Sequence, residues 1–491
     1  MSRPADRSTQ PDAPRAQPDA PRAQPDASRA QPDAPRAQPD APIRRSSFLL
    51  DLRSVLAERG FRRLFATRLI SQTGDGLFNA GFGAYVFFSA QVFPNPAAAA
   101  EAFAVLYLPY SLVGPFAGVF IDRWSRRQIL VWSALIRAGF VAIAAFFVAS
   151  GTLGLPLYIA ALAVLGVNRF FLSALSAALP HVVAGDDLVM ANSVAPTSGT
   201  IVAFVGGLAG LGAHLAAGGG RGVSGLIMLA AGGCYLAAGL VPMTMGRDLL
   251  GPDRRPGDLP PAGVFAEIAS VAAGLAAGTR HIWQRRPAAA ALVATGCHRL
   301  LYGILLLMSI LLYRNYFYPA SSGNTSLKHF TLLVTTSAVG YATAALITPS
   351  ATRRLAKSAW IICVLAGAGA VTGVLGVTFR QIPFLIIGFV LGVAAQSVAI
   401  CTTTIIQQEV DDGFRGRVFS VNDMLFNVTF VLGAGVSALF MPVTGRSYPM
   451  LAVVAIGYLA AAAAYGVVSR QAPGPGPGAA SPSPSAQPSS S

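Results

Sequence analysis

Twelve long runs of apolar residues constrain what this chain can fold into more than any other feature of its sequence. A helix needs about 20 apolar residues to cross the hydrocarbon core of a bilayer, and each run has at least that length. Backbone polar groups in lipid must be satisfied within the segment, and the runs lack the apolar–polar alternation of barrel strands. The runs therefore predict membrane-spanning helices. The predicted spans are 64–90, 102–121, 128–150, 155–179, 191–216, 223–246, 288–313, 329–350, 357–378, 382–406, 418–441 and 448–468.

Composition indicates that lipid surrounds most of the chain. Charged residues make up only 12% of the 491 residues, and the mean hydropathy is +0.56, whereas soluble domains average about 25% charged residues. The net charge of +15 comes mainly from arginines at the ends of the apolar runs, which is typical of topology signals rather than of nucleic-acid binding. Most basic residues of the short loops lie on one side, which predicts a multi-pass protein of the cell (inner) membrane with both termini cytoplasmic.

The order of polar and apolar segments divides the chain into five regions. Residues 1–61 contain repeats of QPDAPRA and are predicted to form a disordered cytoplasmic tail. Residues 62–246 and 288–469 are predicted to form two six-helix bundles, joined by a cytoplasmic linker at 247–287 that contains an amphipathic helix. Residues 470–491 are predicted to form a second disordered tail. Similar features recur at a spacing of about 227 residues, as in Gly206 and Gly433, which is typical of transporters built from two parallel halves.

The loop after the second predicted span reads GVFIDRWSRR (118–127). It resembles the cytoplasmic signature of the major facilitator superfamily. Three further stretches resemble the macrolide-exporter and enterobactin-exporter-like branch. They are AALPHVVAGDDLVMANSV (177–194), AEIASVAAGLAAGTRHIWQRRP (266–287) and FRGRVFSVND (414–423). The resemblance implies an all-α membrane fold of twelve helices in two pseudo-symmetric bundles. It also implies a cytoplasmic gate formed by Gly118, Asp122, Arg123, Arg126 and Arg127.

Asp75 is the acidic residue nearest the middle of a predicted span. A carboxylate in lipid is costly, so it should face the bundle interior or a wet cavity. Proton coupling or binding of a cationic substrate is one interpretation, and a permanent ion pair or gate contact is the alternative. Arg299 and His298 occupy a similar depth in the seventh span, which suggests an Asp75–Arg299 pair across one cavity. Arg299 could instead make a helix–helix contact, and His298 could be a hydrogen-bonded packing residue.

Further polar residues in the spans are weaker candidates. Arg169 lies where the resemblance implies a functional arginine in the fourth span, and pairing near the inner half of that span is the alternative. Gln396, Tyr85 and Tyr302 are candidate cavity-lining groups. Asp423 lies near the membrane edge, which favours capping or gating.

The sequence predicts a secondary transporter rather than an enzyme. It contains no GxxxxGK[ST] phosphate loop, no HExxH motif, no metal-ligand cluster and no nucleophile elbow, so neither a cofactor nor a metal is expected. The resemblance implies export of drug-like or secondary-metabolite molecules by proton antiport, in a monomer with no nucleic-acid partner. An importer or facilitator, and a non-transporting sensor or scaffold that uses the repeat tail, are the alternatives.

Overall fold

The computed structural model describes residues 53, 55–88, 96–112, 124–183, 188–246, 249–251, 264–319 and 322–471, and regular structure within them is helical. Segments of this kind become helices because a helix satisfies its own backbone hydrogen bonds without water. The longer helices, numbered in chain order, are α1 Arg59–Phe88, α2 Pro96–Leu112, α3 Arg126–Ser150, α4 Leu155–Ala178, α5 Leu188–Ala216, α6 Arg221–Met243, α7 Val264–Gln284, α8 Arg286–Leu311, α9 Gly323–Arg354, α10 Lys357–Gly376, α11 Gln381–Glu409, α12 Asp412–Phe440 and α13 Tyr448–Gln471.

Ten helices of the described residues are long and apolar enough to cross a membrane, namely α3 to α6 and α8 to α13. Helix α2 is apolar but shorter within its described part. Helix α1 has 30 residues, but polar side chains such as Gln72, Asp75 and Asn79 and several glycines lower its hydropathy. Each of the twelve predicted spans overlaps one of these helices. The prediction of an all-α membrane protein is thereby confirmed.

The helices pack in two groups that repeat one arrangement. In the first, α1 packs against α5 and α6, and α3 packs against α4 and α6. In the second, α8 packs against α12 and α13, and α10 packs against α11 and α13. Helix α2 joins the groups, because it contacts α4 in the first and lies along α12 in the second.

Glycines make the corresponding contacts of the two groups. A Cβ atom at Gly76 of α1 would collide with the carbonyl oxygen of Ala203 on α5. A Cβ atom at Gly303 of α8 would collide with the carbonyl oxygen of Phe430 on α12, and both of these residues lie 227 positions after their counterparts. Glycine is required where two helix backbones approach this closely. The internal repeat seen in the sequence is therefore a repeat of helix packing.

The groups also touch where α1 ends and α9 begins. The rings of Phe88 and Phe330 lie 5.0 Å apart between centroids, and the Asn324 side-chain amide donates to the carbonyl oxygen of Gly218. Along α2 and α12, the ring of Tyr107 meets that of Phe430 edge-on at 4.6 Å. These contacts join the two halves of the molecule at this end and along one side.

Helix α7 packs against the beginning of α12. The His281 imidazole is stacked on the Phe414 ring, with centroids 4.4 Å apart and planes 3° from parallel. Arg285 donates to both carboxylate oxygens of Asp411, each at 3.1 Å. The helix within the linker is thus attached to the second group rather than the first.

Candidate functional site

A central cavity lies between the two groups of helices and consists of two adjoining chambers of about 940 Å³ and 690 Å³. Thr200, Phe204, Tyr302, Leu306 and Val334 line both chambers, so the chambers adjoin along these residues. The remaining lining is mostly apolar, with scattered hydroxyl and amide groups. None of the described residues that line either chamber is charged. An apolar cavity with a few polar groups is the usual character of a small-molecule site.

Next to this cavity, Asp75 is the centre of a buried polar cluster in the first group of helices. Arg137 of α3 donates to Asp75 Oδ1 and also to Ser71 Oγ, the latter at 2.8 Å. Tyr235 of α6 donates to the same Asp75 oxygen at 2.9 Å, and Asn168 of α4 donates to Asp75 Oδ2 at 3.2 Å. One carboxylate therefore links four helices.

Aromatic rings complete the environment of this ion pair. The Arg137 guanidinium carbon lies 3.7 Å from the centre of the Tyr235 ring and 5.6 Å from that of Phe171. Arg137 is fully buried and Asp75 is 9% exposed. Charges taken this far from water are stable only when paired and hydrogen-bonded, and removing one partner leaves an uncompensated charge. The cluster is thus a charge-neutral unit held within the first half.

Two glycines of α1 position Asp75. A Cβ atom at Gly74 would lie 2.7 Å from Cε1 of Tyr235, so only glycine lets that ring lie against the helix. Gly76, on the other side of Asp75, allows α5 to approach and also lines the smaller chamber. The carboxylate consequently lies at the junction of α1 with its neighbours, close to the cavity wall.

The predicted pairing of Asp75 with Arg299 is wrong, because Arg137 is the partner of Asp75. Asp75 and Arg299 lie at similar depths in the membrane, which suggests the pair. Their depth does not say towards which neighbouring helix each side chain points. From the sequence, Arg137 is only a charged residue of the third span with no evident partner. No local pattern relates positions 75 and 137, so only the packing of α1 against α3 and α6 reveals the contact.

Arg299 instead lies among aromatic rings of the second half. Its guanidinium carbon is 3.8 Å from the ring centre of Phe426, 4.5 Å from that of Phe430 and 5.6 Å from that of Tyr302. Its Nε donates to the carbonyl oxygen of Phe426 at 3.2 Å. The side chain is held by α12 on one side and by a cavity-lining tyrosine on the other.

His298 points into the second group of helices. Its Nδ1 lies 3.1 Å from the hydroxyl of Tyr458 on α13, and its ring is roughly parallel to that of Tyr302. The residue is 2% exposed. This geometry matches the alternative interpretation of a hydrogen-bonded packing residue.

The other candidates are dispersed. Gln396 of α11 lines the larger chamber, and Tyr302 lines both. Arg169 is half-buried on α4, outside the described lining of the two chambers. Tyr85 borders a separate pocket of about 260 Å³ at the end of α1. Among the described residues, no three His, Cys, Asp or Glu side chains are grouped so as to hold a metal ion.

The basic pair of the proposed gate motif binds backbone carbonyls at the end of α6 and in the segment that follows it. Arg127 donates to the carbonyl oxygens of Pro242 and Met243 at 3.0 Å and 2.9 Å. Arg126 donates to the carbonyl oxygen of Leu250 at 3.2 Å and contacts the His181 ring. Carbonyls at a helix C-terminus lack partners within the helix and attract cations. Three further residues of the motif lie outside the described residues, namely Gly118, Asp122 and Arg123.

Comparison with known proteins gives relatives over most of the chain. An uncharacterized MFS-type transporter of Mycobacterium bovis is 37% identical over 422 residues, which cover 85% of this chain and 93% of the relative. One of Mycobacterium tuberculosis matches with the same values. No protein-family model matches the sequence.

Solved structures show the same fold at low sequence identity. The nucleoside transporter NupG has a TM-score of 0.60 at 15% identity, covering 83% of this chain and 98% of its own. A bacterial homologue of the human lysosomal transporter Spinster has a TM-score of 0.56 at 13% identity, covering 86% of this chain and 97% of its own.

The helix packing, the central cavity and these relatives agree on one architecture, two pseudo-symmetric bundles that together make twelve helices. The relatives are transporters, so the protein is a multi-pass membrane transporter of small molecules rather than an enzyme. The chain belongs to the major facilitator superfamily of secondary transporters.

Proposed function

We propose that this transporter exports drug-like or secondary-metabolite molecules by proton antiport, with Asp75 as the proton-exchanging group. The observation that carries the proposal is the buried Asp75 carboxylate, which links four helices beside the wall of the central cavity. Ionisable groups inside membrane-spanning helices are costly and mark ion pathways. No other described acidic side chain is so deeply buried within a span.

Protonation of Asp75 changes the balance of the cluster. A neutral carboxyl group no longer compensates the charge of Arg137, which is then held mainly by the rings of Tyr235 and Phe171. A buried cation without a counter-charge is destabilising, so α3 and α6 are expected to shift relative to α1. Such a shift moves the packed helices from one arrangement to another. In this way, the binding of one proton can favour one of the two positions between which the halves rock around a central site.

The proposed direction, export, assumes an orientation in the inner membrane with both termini cytoplasmic. In that orientation the Phe88–Phe330 and Asn324–Gly218 contacts lie at the outer end of the halves and close the cavity there. A cavity closed on the outside can load substrate from the cytoplasm, as export requires. The resemblance of residues 177–194 and 414–423 to exporters of macrolides and enterobactin also supports export. The proposed working unit is the monomer.

The test uses inverted membrane vesicles that carry the full chain, a pH gradient and a fluorescent pH indicator. Antibiotics and siderophores are added in turn, and an antiporter releases protons when its substrate is added. Asp75→Asn should abolish this release while substrate exchange without a gradient continues, because exchange needs no net proton movement. Glu101→Gln, which alters an exposed carboxylate of α2, is the matched control and should behave as wild type.

Three results would contradict the proposal. Proton release that persists in Asp75→Asn would exclude this carboxylate as the coupling group. Loss of exchange as well as release, in a variant that still reaches the membrane in normal amount, would indicate a structural ion pair. Substrate entry that only equilibrates across the wild-type vesicle membrane, with or without the pH gradient, would indicate a facilitator.

A further inference from the structure

Arg299 is a buried cation without a counter-charge in the part of the chain that the structure describes. It is 8% exposed, and no described carboxylate lies within ion-pair distance of its guanidinium group. Nε donates to the carbonyl oxygen of Phe426, while Nη1 and Nη2 make no hydrogen bond to a described residue. The rings of Phe426 and Phe430 supply cation–π attraction, worth up to about 2 kcal/mol where water is excluded. This stabilisation of the Arg299 charge is weaker than the attraction of a carboxylate partner would be.

This cation lies beside the central cavity. Tyr302, three residues further along α8, lines both chambers, and its ring centre is 5.6 Å from the Arg299 guanidinium carbon. Asn427 follows Phe426 on α12 and lines the smaller chamber. Tyr107 lines the same chamber and packs edge-on against Phe430. The rings that hold Arg299 are thus continuous with the aromatic wall of the cavity.

The charge balance around the cavity favours a negative ligand. The described lining residues carry no charge, and Asp75 is already neutralised by Arg137 and by hydrogen bonds from Tyr235 and Asn168. Arg299 therefore leaves one uncompensated positive charge in a medium of low dielectric constant, where its field is strong. An anionic group close to Arg299 would be attracted, whereas a cationic group there would be repelled.

We propose that the substrate is an amphipathic organic anion. Its carboxylate, sulfonate or phosphate group binds Nη1 and Nη2 of Arg299, since a guanidinium group can hold two oxygens of such an acid at once. Its apolar or aromatic body lies in the two chambers against Tyr302 and Phe204. This inference rests on the proposed transport function and specifies the substrate class of the same site.

Binding of matched dyes to the full chain in lipid nanodiscs tests the substrate class. Fluorescein at mildly alkaline pH is an anion that carries a carboxylate, and rhodamine 6G is a cation with the same xanthene core and an ethyl ester in place of the acid. Fluorescence anisotropy should show tighter binding of the anion by about tenfold or more, which corresponds to about 1.4 kcal/mol. Unlabelled 1-naphthaleneacetate should displace the anionic dye better than the neutral 1-naphthaleneacetamide does.

Variants of two arginines assign the preference to its residue. Arg299→Gln should remove the preference for the anion, and Arg299→Lys should retain part of it because the charge remains. Arg417→Gln is the matched control, because Arg417 also lies over a phenylalanine of α12, Phe414 at 5.3 Å, but is exposed. It should leave the preference unchanged. If Arg299→Gln fails to fold, the wild-type comparison and Arg299→Lys still decide the result.

The outcomes separate this inference from the proposed function. Equal or tighter binding of rhodamine 6G, absence of anion binding, or a preference that survives in Arg299→Gln overturns the inference. If rhodamine 6G binds and its addition releases protons in the vesicle assay, antiport stands and the anionic substrate class falls. If the anion binds through Arg299 but releases no protons, the substrate class stands and antiport falls.

Discussion

Tyr235 donates its hydroxyl proton to the same carboxylate oxygen of Asp75 that Arg137 contacts, at an oxygen–oxygen distance of 2.9 Å. The tyrosine thus contacts both members of the ion pair, because the centre of its ring also lies 3.7 Å from the Arg137 guanidinium carbon. Because residue 74 is a glycine, the Tyr235 ring can pack directly against α1. These contacts make the stability of the first half sensitive to one hydroxyl group.

Tyr235→Phe should destabilise the protein by about 1.5–3 kcal/mol, the usual contribution of a hydrogen bond to a charged group. Thermal unfolding of the purified protein in detergent measures the effect. Tyr313→Phe is the matched control, because the buried hydroxyl of Tyr313 has no hydrogen-bond partner among the described residues. Its removal should be neutral or slightly stabilising. Equal melting temperatures for Tyr235→Phe and wild type would contradict the contact.

Arg137→Met should cost about 3–5 kcal/mol, because the Asp75 carboxylate would be left buried without its counter-charge. The double variant Asp75→Asn/Arg137→Met should be less destabilised than the sum of the two single variants, since neither charge then remains. A double-mutant cycle on thermal unfolding measures this coupling. Strict additivity would show that the two side chains do not form an ion pair in the membrane.

Gly76→Ala should destabilise the first half by about 1–3 kcal/mol, because the added methyl group meets the α5 backbone at Ala203 and cannot be accommodated without a shift of the helix. Gly83→Ala on the same helix is the matched control, since its nearest neighbour, a carbon of Phe87, is 3.9 Å away. Yield and melting temperature should fall only for the first variant. Similar values for both would show that α1 and α5 are further apart.

Asp411→Asn should loosen α7 only slightly, by about 0.2–1 kcal/mol, because its ion pair with Arg285 is exposed to solvent. Hydrogen exchange of the α7 backbone amides measures the loosening. High salt should bring wild type close to the variant, since solvent-exposed charges are screened. Phe414→Ala should have the larger effect because it removes the surface on which His281 is stacked. A larger effect of Asp411→Asn would contradict this order.

A link between cysteines at positions 88 and 330 should stop transport, because the contact between the Phe88 and Phe330 rings must open for the cavity to reach that side of the membrane. A bifunctional methanethiosulfonate reagent forms the link, and a reductant removes it. The four native cysteines are replaced first, since Cys363 is exposed. Each single cysteine should remain active. Full activity of the linked protein would exclude opening at this end.

The length of the apolar runs predicts most of the fold. In lipid, a backbone must satisfy its own hydrogen bonds, and a long apolar segment does so by forming a helix. The bounds are less well predicted. Helix α9 runs from Gly323 to Arg354, beyond the predicted span 329–350, and α2 begins at Pro96 rather than at 102. Helices continue past the hydrocarbon core wherever polar residues can be solvated, so hydropathy underestimates their length.

The sequence by itself determined that the chain is helical, that it spans a membrane in two related halves, and that a carboxylate at position 75 is exceptional, because these features depend on composition and spacing alone. Only the tertiary structure decided that Asp75 pairs with Arg137, that His298 packs against Tyr458, and that Arg299 lies among aromatic rings beside the cavity. The reason is that a partner depends on the rotation of each helix about its own axis. That rotation is set by close contacts such as Gly76 against Ala203, between residues far apart in the chain.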